Sequence, residues 1–203
     1  MQPTGLAELD IWNLTLDALS QSRVITADQK TNLSSSEARW FNRNFNVTVR
    51  GLLRSNIWTF AKDMAEVTAD GTAPDFDYMY RFEYPNDWVR LLPITANGEK
   101  VGDLIHYEIV GQYIHTDEPG PLKLRGIQDL VDPATWDPLF VDVVVARLMQ
   151  RYALRLTGKT DYKKIADEAL MTAMDDAMTI GAIEEYQEPI EAHDIIRVRE
   201  VMA

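Results

Sequence analysis

The stretch from Asp137 to Thr157, DPLFVDVVVARLMQRYALRLT, most narrows what this chain can fold into. Asp137 is a natural helix N-cap. Pro138 at the first helical position loses nothing, because that N–H would have no intrahelical partner. Gly158 stands just past the end, where a left-handed residue commonly stops a helix. Between these caps, Leu139, Phe140, Val143, Val144, Val145, Leu148, Met149, Tyr152, Leu154 and Leu156 cover most of the circumference. A helix that apolar must be surrounded by protein, so it is expected at the centre of a folded domain. One row departs from the pattern: Arg147, Arg151 and Arg155 recur at i, i+4 spacing. An arginine row on a buried helix requires acidic partners, from this chain or from a neighbouring subunit.

Length limits what surrounds that helix. A chain of 203 residues makes one domain with room for a lobe or a tail. Hydrophobic residues make up 46%, enough for a substantial core, and the formal charge is -12. That charge argues against a nucleic-acid grip and against an anionic membrane surface. Cysteine is absent, which removes disulfides and thiol chemistry and says nothing of redox compartment. No apolar run approaches membrane-spanning length and MQPTGLAELD does not read as a signal peptide, so a soluble intracellular product is expected.

Leu6, Leu9, Trp12, Leu16 and Leu19 fall at helical spacing and predict a first helix over 6–19. Val24 and Ile25 follow in a loop that ends in the polar run Asp28 to Ser36. Ser36 is expected to cap a second helix, 36–55, whose apolar face is Ala38, Phe41, Phe45, Val49 and Leu52, widened by Trp40 and Leu53. Ile57 to Val67 has no clear period and is open between a helix extension and a strand. From Tyr78 the period becomes two: Tyr78, Tyr80, Phe82 and Tyr84 alternate with Met79, Arg81 and Glu83. A second strand, Trp88 to Ala96, runs into the hairpin signal Asn97-Gly98, and a third runs from Lys100 to Val110. Gly111-Gln112 suits a type II′ turn into a fourth strand, Tyr113 to Asp117, and Leu122 to Ile127 can supply a fifth. After the central helix, Thr160 is expected to cap a last helix, 160–183. Its inner face is Tyr162, Ile165, Ala166, Ala169, Ala173, Ala177 and Ile180, and Asp161, Asp167, Glu168, Asp175 and Asp176 offer carboxylates to the arginine row. Glu185 to Ala203 has no such face and reads as an extended tail. The predicted class is α+β: a helical bundle of two N-terminal and two C-terminal helices, with an antiparallel β-meander lobe inserted over 78–127. Residues 1–184 form a single domain and 185–203 a C-terminal tail.

The chain carries no phosphate-binding glycine loop, no His-Glu-x-x-His and no Gly-x-Ser-x-Gly. The best chemical constellation is one strand face of the hairpin, His106, Glu108, His115 and Asp117. The turn places His115 opposite Glu108 and His106 opposite Asp117, and two imidazoles with two carboxylates could hold zinc. The plainer reading, a solvated sheet face with charges pairing across strands, is preferred. His193 reads as a lone surface histidine, and the five tryptophans, Trp12, Trp40, Trp58, Trp88 and Trp136, as core. Asp175-Asp176 and Glu184-Glu185 read as solvated faces, because sequence neighbours diverge on a helix.

The order of elements carries a resemblance. The run LLRSNIWTFA through Trp58, Phe60 and Ala61 is followed by Tyr78 to Pro85 (YMYRFEYP) and then Val89 to Leu92 (VRLL). Next come Tyr107 to Gly111 (YEIVG), Ile114 to Asp117 (IHTD), and Trp136 to Phe140 (WDPLF), leading into a helix that ends Leu156-Thr157-Gly158. In this order and spacing the chain, as far as about Glu184, resembles the tail tubular protein A family, head-to-tail adaptor (connector) proteins of short-tailed bacteriophages. The resemblance implies a structural virion protein without enzymatic residues or cofactor, made in the bacterial host cytoplasm and located at the head–tail junction. It implies a dodecameric ring beneath the portal, which extends the DNA channel and gives a tail or nozzle protein its docking surface. DNA is then expected to pass without specific binding. The residues expected at interfaces are Arg147, Arg151 and Arg155, together with Ile190, Ile195, Ile196 and Val198 of the tail. The rival expectation is a small metal-binding or hydrolytic domain using the His106/His115 hairpin.

Overall fold

A computed structural model describes residues 4–20, 24–96, 98 and 102–185. The protein is α+β, with a helical body and an antiparallel lobe between its third and fourth helices. The helices are α1 (Glu8–Ala18), α2 (Ala27–Asn32), α3 (Ser36–Ser55), α4 (Pro138–Thr157) and α5 (Thr160–Glu185). The strands are β1 (Lys62–Val67), β2 (Tyr80–Glu83), β3 (Trp88–Leu91), β4 (Tyr107–Val110), β5 (Tyr113–Thr116) and β6 (Leu122–Gln128).

The central helix begins and ends where its caps dictate. The Leu139 N–H donates to Asp137 Oδ1 at 2.9 Å, and Gly158 takes a left-handed φ of 68° while its N–H donates to the Leu154 carbonyl. The wrapping expected around this helix is incomplete: Leu154 is half exposed beside Arg151 and Arg155, and Asp142 reaches solvent. Elsewhere the buried side is aromatic. Trp12 stacks on Phe41, Phe45 stacks on Trp136, and the Trp136 ring meets Phe140 edge-on. All five tryptophans are buried, as core packing requires. The indoles of Trp58 and Trp136 donate to the Leu52 and Leu130 carbonyls, whereas the buried Trp12 Nε1 has no acceptor among the described residues.

Several expected boundaries are corrected. The loop before α3 contains α2, held by a reciprocal box: Gln29 N–H donates to Thr26 Oγ1, and Thr26 N–H donates to Gln29 Oε1. Ser35, not Ser36, caps α3, accepting from the Ala38 N–H at 3.0 Å. Thr160 is the first helical residue of α5 rather than its cap. The ambiguous stretch 57–67 resolves into one 3-10 turn, Thr59–Ala61, followed by β1.

The lobe is antiparallel but is not one meander. It forms two three-stranded sheets, in orders β1-β6-β3 and β2-β5-β4. The second and third expected strands are shorter than their sequence patterns, ending at Leu91 and starting at Tyr107. Between them the chain returns through a Thr95–Leu104 bridge. Asn97 and Lys100 of the expected hairpin lie outside the described residues. The β4–β5 hairpin has its expected register: Gly111 has φ 64°, Gln112 does not share the positive φ, and Glu108 pairs with His115. Phe82, Trp88, Ile94, Ile114, Leu122 and Leu124 form a small core of their own in the lobe.

On α5, Ala166 and Ala177 are buried and Tyr162, Ala169 and Ala173 half-buried, so the alanine row does lie against the body. Ile165 (57% exposed) and Ile180 (45%) leave the expected inner face. They sit at its edges, where the body does not cover them. Among the described residues no helix is long and apolar enough to cross a membrane.

Candidate functional site

The arginine row of α4 was expected to meet the carboxylates of α5. The structure brings one of them into play, through a relay. Arg147 donates to Gln150 Oε1, and Gln150 Nε2 donates to Asp167 Oδ1 at 2.7 Å. Asp167 also accepts from Lys163 Nζ at 3.0 Å. Its carboxyl is held below the usual range, first by the Gln150 hydrogen bond and then by that of Lys163. Arg151 instead turns to α3 and donates to Thr48 Oγ1 at 3.1 Å. Burial, and then the neighbouring charge of Arg147, lowers its guanidinium pKa. Arg155 is exposed. Asp161, Glu168, Asp175 and Asp176 are also exposed, Asp176 at the rim of a depression that it shares with Leu139 and Asp142 of α4. The row therefore ties α4 to α3 and α5 more than it offers a surface.

In the hairpin the polar face exists, but its groups do not converge. Tyr78 sits between the two imidazoles, with ring centroids 6.0 Å from His106 and 6.4 Å from His115. Its hydroxyl lies 3.4 Å from His106 Nδ1. Asp117 Oδ1 accepts from the Met79 N–H at 3.0 Å. Partial desolvation, and then Glu108, Asp117 and Asp77, raise the Tyr78 phenol pKa. Among the described residues no group of three or more His, Cys, Asp or Glu side chains is placed to hold a metal. The arrangement is that of a solvated strand face.

Two surfaces were missed in the sequence. A groove of about 300 Å³ lies where the end of α5 crosses the 3-10 turn and the start of α4. Its walls are Ile57, Trp58, Phe60, Leu139, Met178 and Ile180. Ile183 is exposed at the same end of α5. The tail residues Ile190, His193, Ile195, Ile196 and Val198 lie outside the described residues.

The second surface runs along α3. Arg39, Arg43, Arg50 and Arg54 all fall on its exposed side, and its one acid, Glu37, is buried. Arg50 grips Asp129 through Nε (2.9 and 2.8 Å) and Nη2 (2.7 Å). Arg39 donates to the Leu33 and Ser34 carbonyls, and Arg54 to the Val89 carbonyl. The stripe was legible: the four arginines follow one helical row opposite Phe41, Phe45, Val49 and Leu52, and attention to the α4 row hid it. The chain matches no protein-family model, and no curated protein matches it.

Proposed function

We propose that this protein is a head-to-tail adaptor of a bacteriophage virion. In this reading copies assemble as a dodecameric ring beneath the portal, extend the DNA channel and give the tail or nozzle protein its docking surface. The protein is made in the host cytoplasm and works at the head–tail junction, without catalysis or cofactor. The order of motifs from Trp58 to Gly158 is what suggests the family.

The observation that carries the reading is the apolar ground left open at the end of α5. Ile57, Ile180 and Ile183 are exposed around a groove floored by Trp58 and Phe60. In a chain of charge -12 such a surface is one to be covered by another protein. Residue 186, the start of the chain's last segment, follows α5 directly. A segment carrying Ile190, Ile195, Ile196 and Val198 supplies further apolar anchors for the portal.

The test mixes the full chain with its cognate portal, follows the mixture by light scattering, and images the product by electron microscopy. Closed rings stacked on the portal are expected. A chain that ignores the portal sinks the reading.

A further inference from the structure

A head-to-tail ring needs two unlike faces on each subunit. We infer that the arginine stripe of α3 docks against the outer face of α5 of a second copy of this chain. This inference rests on the adaptor reading, and it names which surfaces meet.

The stripe is Arg39, Arg43, Val47, Arg50 and Arg54, about 22 Å along the axis at the α-helical rise. Val47 is 63% exposed at its centre. Arg90 extends the end, its Nη1 donating to the Arg54 carbonyl at 3.4 Å. No acid on α3 reaches the surface, although the chain carries 32 acidic residues against 20 basic ones. The outer face of α5 has the opposite character. Asp161, Ile165, Glu168, Thr172 and Asp176 follow one exposed helical row, with Lys164 at its margin. Ile165 and Thr172 separate its acids, as Val47 separates the arginines on α3. From Asp161 to Asp176 the acidic row spans the same ~22 Å as the stripe, opposite in charge, and each row carries one exposed branched apolar residue, Ile165 and Val47. Complementary potentials of this kind fix register and steer encounter.

Gly51 favours a protein over a polyanion as the occupant. It lies exposed in the interior of α3, beside Arg50 and Arg54, and a Cβ built there meets nothing within 4 Å. Glycine in a helix interior weakens the helix relative to alanine, and nothing among the described residues requires it. Close approach of a helix from a second copy would use the space.

The two rows lie on different elements, so pairing them is heterologous and propagates either to a closed ring or to an open filament. The pairing has a sign that simple net charge cannot produce. Copies of a -12 chain repel more strongly as salt falls, whereas complementary faces attract more strongly.

The experiment is sedimentation velocity on the full chain as salt falls from about 300 to about 50 mM, where the Debye length grows. Wild-type self-association should strengthen. Arg43→Glu/Arg54→Glu should weaken it at least about tenfold, as should Glu168→Arg/Asp176→Arg. An equimolar mixture of the two variants should restore it with strict one-to-one composition, since each reversed face then meets its reversed partner. Gly51→Leu, which leaves the charge unchanged, should weaken association by blocking close approach.

Repulsion that grows as salt falls overturns the pairing. So does a mixture that fails to restore association. Duplex DNA retarded by wild type and released by Arg43→Glu/Arg54→Glu, with self-association unchanged, assigns the stripe to phosphates instead. Rings that form on the portal despite both reversals remove the pairing and leave the adaptor reading standing. Complementing variants that give only open filaments on the portal do the reverse.

Discussion

Gly126→Ala should be among the most damaging single-methyl additions in the protein. Gly126 is in the middle strand of the β1-β6-β3 sheet, paired with Asp63 on one side and Leu91 on the other. The Trp88 indole lies across it from the diagonal position. A Cβ at 126 would fall 2.0 Å from Cε3 and 2.4 Å from Cδ2 of that ring. Carbon contacts settle near about 3.5–4.0 Å, so the ring must retreat by roughly 1.5–2 Å. Trp88 is buried, and its Nε1 donates to Asp63 Oδ2 at 3.1 Å, an oxygen that also accepts from Gln128 Nε2 at 3.0 Å. Retreat strains a packed core, at about 1–3 kcal/mol. It also breaks a hydrogen bond to a charged acceptor, at about 1.5–3 kcal/mol. The expected loss is about 4 kcal/mol, a fall in Tm of roughly 8–16 °C for a chain of this size. Urea unfolding of Gly126→Ala, Trp88→Leu and the double variant gives the coupling directly. The double variant should be at least about 1 kcal/mol better than the sum of the singles, because leucine vacates the space alanine needs. A single alanine variant that loses under about 0.5 kcal/mol, or strictly additive changes, refutes the reasoning.

Asp137→Ala removes the acceptor for the Leu139 N–H and should cost about 1 kcal/mol in urea unfolding, with the fold retained. Asp142 is held above the ordinary carboxylate range by burial first and by Asp137 second. A raised folded pKa means that stability falls as pH rises through it. Asp142→Asn should therefore be more stable than wild type at neutral pH, with the gap closing in acid, as midpoints at the two pH values would show. Asp70 is held low, first by its hydrogen bond from Arg81, so its contribution is present above the unfolded carboxylate pKa and is lost as pH falls through the folded one. Asp70→Asn should differ from wild type at neutral pH and converge with it in acid. Ending the chain at Glu185 should leave thermal unfolding unchanged, since both cores of the described residues precede it, and should weaken portal binding measured by co-sedimentation.

What the sequence made legible was local. The ends of α4 are set by Asp137, Pro138 and Gly158, whose effects reach no further than one turn, and they fall where the sequence places them. The β4–β5 register follows from Gly111 for the same reason. The class, α+β, follows from the change of period at Tyr78. The misses have physical causes. Ser35 and Ser36 offer the same hydroxyl one residue apart, and only backbone geometry chooses between them. α2 has no buried residue and hence no apolar period; its signal was the Thr26–Gln29 box alone. β1 has no apolar alternation because none of its side chains is fully buried and its largest apolar one, Met64, is exposed, while its partner β6 lies some sixty positions later. Strand order within the lobe depends on such distant pairings, so two sheets were read as one. Ile165 and Ile180 flank the alanine row on the α5 wheel, Ile165 toward the outer side, and the face that the body covers is narrower than the apolar one. For the candidate surfaces, the arginines of α4 were legible as a row but their partners were not. Gln150 as a relay and Thr48 as an acceptor are neutral side chains that a search for opposite charges passes over.

The sheet β1-β6-β3 bears on how the molecule responds to force. An inserted lobe usually hangs from two loops and can swing about them. Here the connection is the sheet itself. Ala61, at the root of β1, and Ile127, near the end of β6, belong to the helical core. Val67, Leu122 and Leu124, at the far ends of the same two strands, belong to the lobe core. β3 also touches both cores, with Val89 packed on the body and Trp88 and Leu91 in the lobe. Tilting the lobe would bend three hydrogen-bonded strands together, and pulling it away would stretch continuous backbone rather than open a hinge. By this construction the lobe is an outrigger, and the packing route from its tip leads down β1 to the 3-10 turn, where Trp58 and Phe60 meet Phe140 at the start of α4.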